Sequence, residues 1–142
     1  MKTVEAFVNE GKVRRGSRDP AEARSLFSQS EQRLADVKMI RLTELNAPFR
    51  FEDVYEALRE SVQAFMALEG LKPYSHEAVI AFAGERRLLT EPEVARLDRY
   101  REIRNDIAYR GEKTTVQETC DALTFAEDVI KRLRQAFDLR LK

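Results

Sequence analysis

The chain has 142 residues, 43% hydrophobic and 35% charged, with 25 Lys and Arg against 25 Asp and Glu. That balance fits one globular domain over residues 1–142, long enough to bury a core, and excludes a disordered chain. Zero net charge removes any general attraction to nucleic acid and leaves room only for a local basic patch.

Cys120 is the only cysteine and His76 the only histidine. An internal disulfide and zinc sites built on several Cys or His ligands are therefore excluded. We expect no metal or cofactor, and a reducing cytoplasm is the simplest compartment. The opening "MKTVEAFVNEGKVRRG" carries acidic residues and no long apolar run, so it does not read as a signal peptide. No stretch approaches the ~18 apolar residues of a membrane span, and no membrane partner is expected.

In chain order, Met1 to Gly11 reads as a short helix with Val4, Phe7 and Val8 on one side. A basic loop follows with Lys12, Arg14, Arg15 and Arg18, either solvated or touching phosphates. Asp19-Pro20 is a helix start, and apolar spacing from Ala23 through Phe27, Leu34 and Ile40 carries that helix to about Asn46, with Pro48 ending it. Phe51, Val54, Tyr55, Leu58, Val62, Phe65 and Met66 define the next helix, from about Arg50 to Glu69, with Gly70 as its stop. Ser75 to Gly84 reads as a short inserted helix containing His76. Thr90 caps a helix running to Arg110, and Thr114 or Thr115 starts the last one. No alternating strand pattern is present. The expectation is an all-α, up-and-down four-helix bundle with a short N-terminal helix and a short inserted helix.

On the Thr90–Arg110 helix, Val94, Leu97, Tyr100, Ile103 and Ile107 form the apolar arc, and Arg104 lies inside it. A guanidinium there is costly unless it is paired, snorkels, or faces a groove. Asn105 and Asp106 cluster further polar chemistry at the same level. Glu52, Glu56 and Glu60 repeat like a carboxylate ladder, but no E-x-x-H motif accompanies them, which argues against a di-iron bundle. Cys120 reads as a small core residue.

"YREIRNDIAYRGE" (Tyr100 to Glu112) resembles the signature of HEPN-domain proteins, the higher-eukaryote and prokaryote nucleotide-binding family. "FEDVYEALRESVQAFMALEGLKPYSHEAVIAFAG" (Phe51 to Gly84) resembles the long second helix, turn and S-H-x-x-x-I segment of these proteins. The resemblance implies a bundle of four or five helices, often a homodimer. In prokaryotes it also implies a toxin-like partner of a minimal nucleotidyltransferase. In ribonuclease members an Arg and a His meet at the dimer interface and cleave RNA without metal. Arg104 matches the signature Arg and Asn105 its polar neighbour, but Tyr109 stands where the His belongs. A phenol, with a reference pKa of ~10, is a poor general base near neutrality.

The resemblance therefore implies an RNA or nucleotide site drawn from Arg101, Arg104, Asn105, Asp106, Tyr109 and Arg110, with weak or absent ribonuclease activity. Two alternatives stand beside it. One is a divergent ribonuclease using Arg104 with Tyr109 or His76 as the base. The other is a non-catalytic interaction module in which Arg104 is a structural ion pair. His76 reads either as a backbone-bonded loop residue or as a group facing Arg104. Arg104 and Tyr109 fall about 140° apart on a straight helix, so they share a site only at a groove edge or across an interface.

Overall fold

The structure is a computed structural model and describes residues 2–142; the start of the first predicted helix at Met1 lies outside the described residues. The elements run α1 (Val4–Asn9), β1 (Val13–Arg15), α2 (Pro20–Lys38), α3 (Ala47–Leu68), β2 (Leu71–Pro73), α4 (His76–Glu85), α5 (Glu91–Arg110) and α6 (Val116–Leu141). The long helices α2, α3, α5 and α6 form the expected all-α bundle, with α3 in the middle.

Pairings between helices fix the directions. Asp19 N–H donates to the Ala67 carbonyl and Arg33 pairs with Glu60, so α3 runs antiparallel to α2. Tyr55 lies beside His76 and Glu69 beside Arg86, so α4 runs with α3. Gly84 abuts Val94 where α5 turns back along α4. Glu93 with Arg132 and Tyr100 with Phe125 set α6 antiparallel to α5. The long helices are therefore up-and-down, with α4 an insertion.

Local signals account for the helix starts. Asp19, Thr90 and Thr115 each accept a backbone N–H at their helix N-terminus, and the last two form full capping boxes with Glu93 and Glu118. Gly111 ends α5 in the left-handed region, at φ 65°.

Two expectations are corrected. The second helix ends at Lys38, not near Asn46, and Pro48 lies in the first turn of α3 rather than after a helix end. The N–H that proline lacks would be unpaired there in any case, and Thr43 and Asn46 build the turn before it through reciprocal side-chain bonds. The inserted helix ends one residue past Gly84, as expected, and the missing side chain of Gly84 lets Val94 approach. The basic loop and the residues after Gly70 pair as a two-stranded antiparallel ribbon, Arg14 opposite Lys72. Strands of three residues are too short to display alternation.

The core gathers Phe27, Phe51, Tyr55, Leu58, Phe65, Met66, Phe82, Leu97, Leu133 and Phe137. On α6 the buried face is Thr119, Ala122, Ala126, Val129, Ile130, Leu133 and Phe137; Cys120 lies beside it, half-buried, rather than in the core.

Gly70 has φ 74°, and its carbonyl accepts the Gly16 N–H at 2.7 Å. A Cβ there would sit 3.1 Å from the Gly16 carbonyl carbon and closer still to its oxygen. Gly70→Ala therefore combines backbone strain with a collision against main chain. We expect a loss of about 2–3 kcal/mol in urea unfolding, against about 1 kcal/mol for Gly11→Ala, which carries the backbone strain alone. Gly11 has a similar φ but open space around it.

Candidate functional site

A cavity of about 290 Å³ opens where the N-terminus of α4 meets the C-terminal half of α5. Ser75, His76 and Glu77 line one side; Arg101, Arg104, Asn105 and Tyr109 line the other. Five of the predicted site residues thus share one cavity. Asp106 and Arg110 do not line it: they form a loose exposed pair 3.9 Å apart, and the Asp106 carbonyl accepts the Gly111 and Glu112 N–H groups that close α5.

Arg104 is neither sealed in the core nor free in solvent; its side chain is 20% exposed. Among the described residues, the carboxylate within ion-pair distance is Glu56 on α3, at 3.9 Å, too long for a hydrogen bond, and Glu52 feels the Arg104 charge from further away. Nη1 donates to Asn105 Oδ1 at 3.2 Å, and the guanidinium lies over the Tyr109 ring at 5.7 Å. Buried Nε of Arg104 and Oε1 of Glu56 have no hydrogen-bond partner. Arg104 is thus held in place with donor capacity unused, the condition in which a guanidinium takes a phosphate or carboxylate in a bidentate fork. Tyr109, 77% exposed, forms the rim. A helix places residues five apart well round its axis, and the length of the Arg side chain closes that gap.

Arg101 is more fully committed. Its Nε donates to Asp98 at 2.9 Å, with Glu77 at 3.9 Å. Glu56 accepts from Arg59 at 2.6 Å. Burial alone would raise the Glu56 pKa, but Arg59, His76 and Arg104 outweigh it and hold the carboxyl below its ordinary value.

His76 faces Arg104 across the cavity and does not hydrogen-bond backbone; its Nδ1 lies 3.2 Å from the hydroxyl of Tyr55. Tyr55 is only 1% exposed, and burial drives its pKa up, so the phenol keeps its proton. That proton has one acceptor nearby, Nδ1. If Nδ1–H donated instead, the buried hydroxyl proton would be left unpaired, which is costly. The favoured tautomer therefore carries its proton on Nε2, as a donor. The sequence did not mark Tyr55, Glu56 or Arg59 as site residues: Tyr55 stood only in the apolar stripe, Glu56 only in the ladder, and nothing singled out Arg59.

The His76 pKa is lowered, first by burial and then by the Arg59 charge, against an opposing Glu56. Its folded value thus lies below its unfolded one. The associated stability is complete above ~6.5 and is lost as pH falls through the folded value. We expect His76→Asn to reduce the slope of stability against pH below ~6.5, measured by urea midpoints across that range.

Among the described residues, no group of three His, Cys, Asp or Glu side chains is placed to hold a metal ion, and no helix is long and apolar enough to cross a membrane. Comparison with protein-family models, with curated proteins and with solved structures found no match.

Proposed function

We propose that the chain is a HEPN-like protein that binds RNA or a nucleotide in the α4–α5 cavity and acts as the toxin-like partner of a minimal nucleotidyltransferase. One observation carries the binding reading: Arg104 lines this cavity with an Nη2 that makes no hydrogen bond, its nearest carboxylate oxygen lying 3.9 Å away on Glu56. Arg101, Asn105 and the Nε2–H of His76 supply further donors, and the exposed Tyr109 ring offers a surface for a base. Ribonuclease activity in this reading is weak or absent, because Tyr109 stands where the signature His belongs and the bond from Tyr55 leaves Nε2 of His76 a donor rather than a base. A homodimer is supported by Met39, Leu45 and Phe49, three exposed apolar side chains on the α2–α3 connection and the first turn of α3.

A second reading, a divergent metal-independent ribonuclease, draws on His76 sharing the cavity with Arg104. It needs the other tautomer, with a lone pair on Nε2. The readings are separated by incubating purified protein with single-stranded RNA, following binding by fluorescence anisotropy and cleavage on gels. Saturable binding without cleavage supports the first. Cleavage lost in both His76→Ala and Arg104→Ala supports the second. No binding and no cleavage sinks both.

A further inference from the structure

At the pole of the bundle where α2 begins and α3, α4 and α6 end, a second cavity of about 460 Å³ is lined by four arginines. They are Arg18, Arg24, Arg86 and Arg140, set against one carboxylate, Glu69. Glu69 is already taken: it accepts from Arg86 Nε at 3.0 Å and Nη2 at 2.9 Å, while Arg86 Nη1 donates to Glu85 at 2.7 Å. Among the described residues, Arg18, Arg24 and Arg140 have no carboxylate within ion-pair distance. In a chain of zero net charge whose other arginines mostly pair with acids, three unpaired guanidiniums around one cavity form a segregated positive pole.

The pole is also preformed. The segment bringing Arg18 to the cavity is tied to the end of α3 by the bonds from Gly16 N–H to the Gly70 carbonyl and from Asp19 N–H to the Ala67 carbonyl, at 2.7 and 2.9 Å. Arg140 lies over the buried Phe65 ring at 5.0 Å, a cation–π contact that draws it toward the cavity wall. Leu68 and Leu141 add apolar wall. Guanidiniums grip phosphate oxygens in pairs, so this arrangement suits more than one phosphate, and the apolar wall suits an uncharged organic portion.

We propose that this pole is a binding site for a small ligand bearing a pyrophosphate group, of the nucleoside diphosphate class, separate from the Arg104 cavity. The test uses the full chain in the Arg104→Ala background, so that the first cavity contributes nothing. ADP and inorganic pyrophosphate are titrated at low salt by calorimetry. The expected result is saturable binding of both, weakened at least about tenfold in the Arg18→Ala/Arg24→Ala/Arg140→Ala variant. Those three side chains are exposed, and a melting curve verifies the fold. Amide shift mapping of the protein without these three substitutions gives a second readout: pyrophosphate should move residues 18–24 and 140, not 101–109. Absence of saturable binding, binding indifferent to the three arginines, or shifts confined to 101–109 would each overturn the proposal. So would arginine-dependent binding of decauridine without binding of ADP, which would assign the pole to polynucleotide instead.

Discussion

Arg104→Ala is expected to weaken RNA or nucleotide binding in the α4–α5 cavity by about ten- to a hundredfold while the protein stays folded. A charge-assisted hydrogen bond contributes roughly 1.5–3 kcal/mol, and Nη2 of Arg104 makes none within the protein. Its structural ties are weak by comparison: a 3.9 Å ion pair and one bond to its neighbour Asn105. Removing it leaves Glu56 still paired with Arg59, so the stability loss should stay within about 1 kcal/mol. Arg104→Met, which exchanges an under-bonded charge for an apolar side chain, should match or exceed the starting stability and still fail to bind. Arg104→Lys keeps the charge but loses the fork, and its affinity should fall in between. Anisotropy with a labelled single-stranded RNA, with melting curves alongside, reads both quantities. Unchanged affinity in Arg104→Ala would remove the proposed site; a large stability loss in Arg104→Met would return Arg104 to a structural role.

The largest stability effect is expected at Phe27. Phe27, Phe65 and Phe137 are fully buried where α2, α3 and α6 meet. Phe27 stacks on Phe137 with centroids 4.8 Å apart, and Phe65 meets Phe137 edge-on at 5.4 Å. Arg134 covers the Phe27 ring at 4.4 Å while paired with Glu31. Truncating Phe27 to Ala removes ring burial, loses aromatic contacts and opens a cavity, at a cost of about 3–5 kcal/mol. For a domain of this size the melting temperature should fall by roughly 10–15 °C. The Phe27→Ala/Phe137→Ala double variant should lose less than the sum of the single losses, because the two rings line one void. Additive losses would show that the rings do not act as one packing unit.

Much of the fold was legible because its signals are local. Apolar spacing and the caps at Asp19, Thr90 and Thr115 needed no partner to be read. The misplaced boundary at Asn46 comes from a turn that Thr43 and Asn46 close with side-chain bonds, which apolar periodicity does not show, whereas the missed ribbon depends on what lies opposite. Nothing in "VRR" or "LKP" marks them as strands until each supplies the other's hydrogen bonds.

The arginines show the division most sharply. By itself the sequence determined that Arg104 sits on an apolar arc near Asn105 and Tyr109, because helical periodicity fixes faces within one element. It said equally little about whether Arg33, Arg134 or Arg104 is neutralised. The tertiary structure decided that. Arg33 gives two hydrogen bonds to buried Glu60, at 2.8 and 3.0 Å, and Arg134 is held by Glu31. Arg104 is left 3.9 Å from Glu56 with a buried Nε unpaired. It also brought His76 onto the same cavity and gave it Tyr55 as a partner. Each of these pairings crosses between helices. Local periodicity cannot encode them, because the distance that settles a charge's partner is set by how helices pack and not by spacing along the chain.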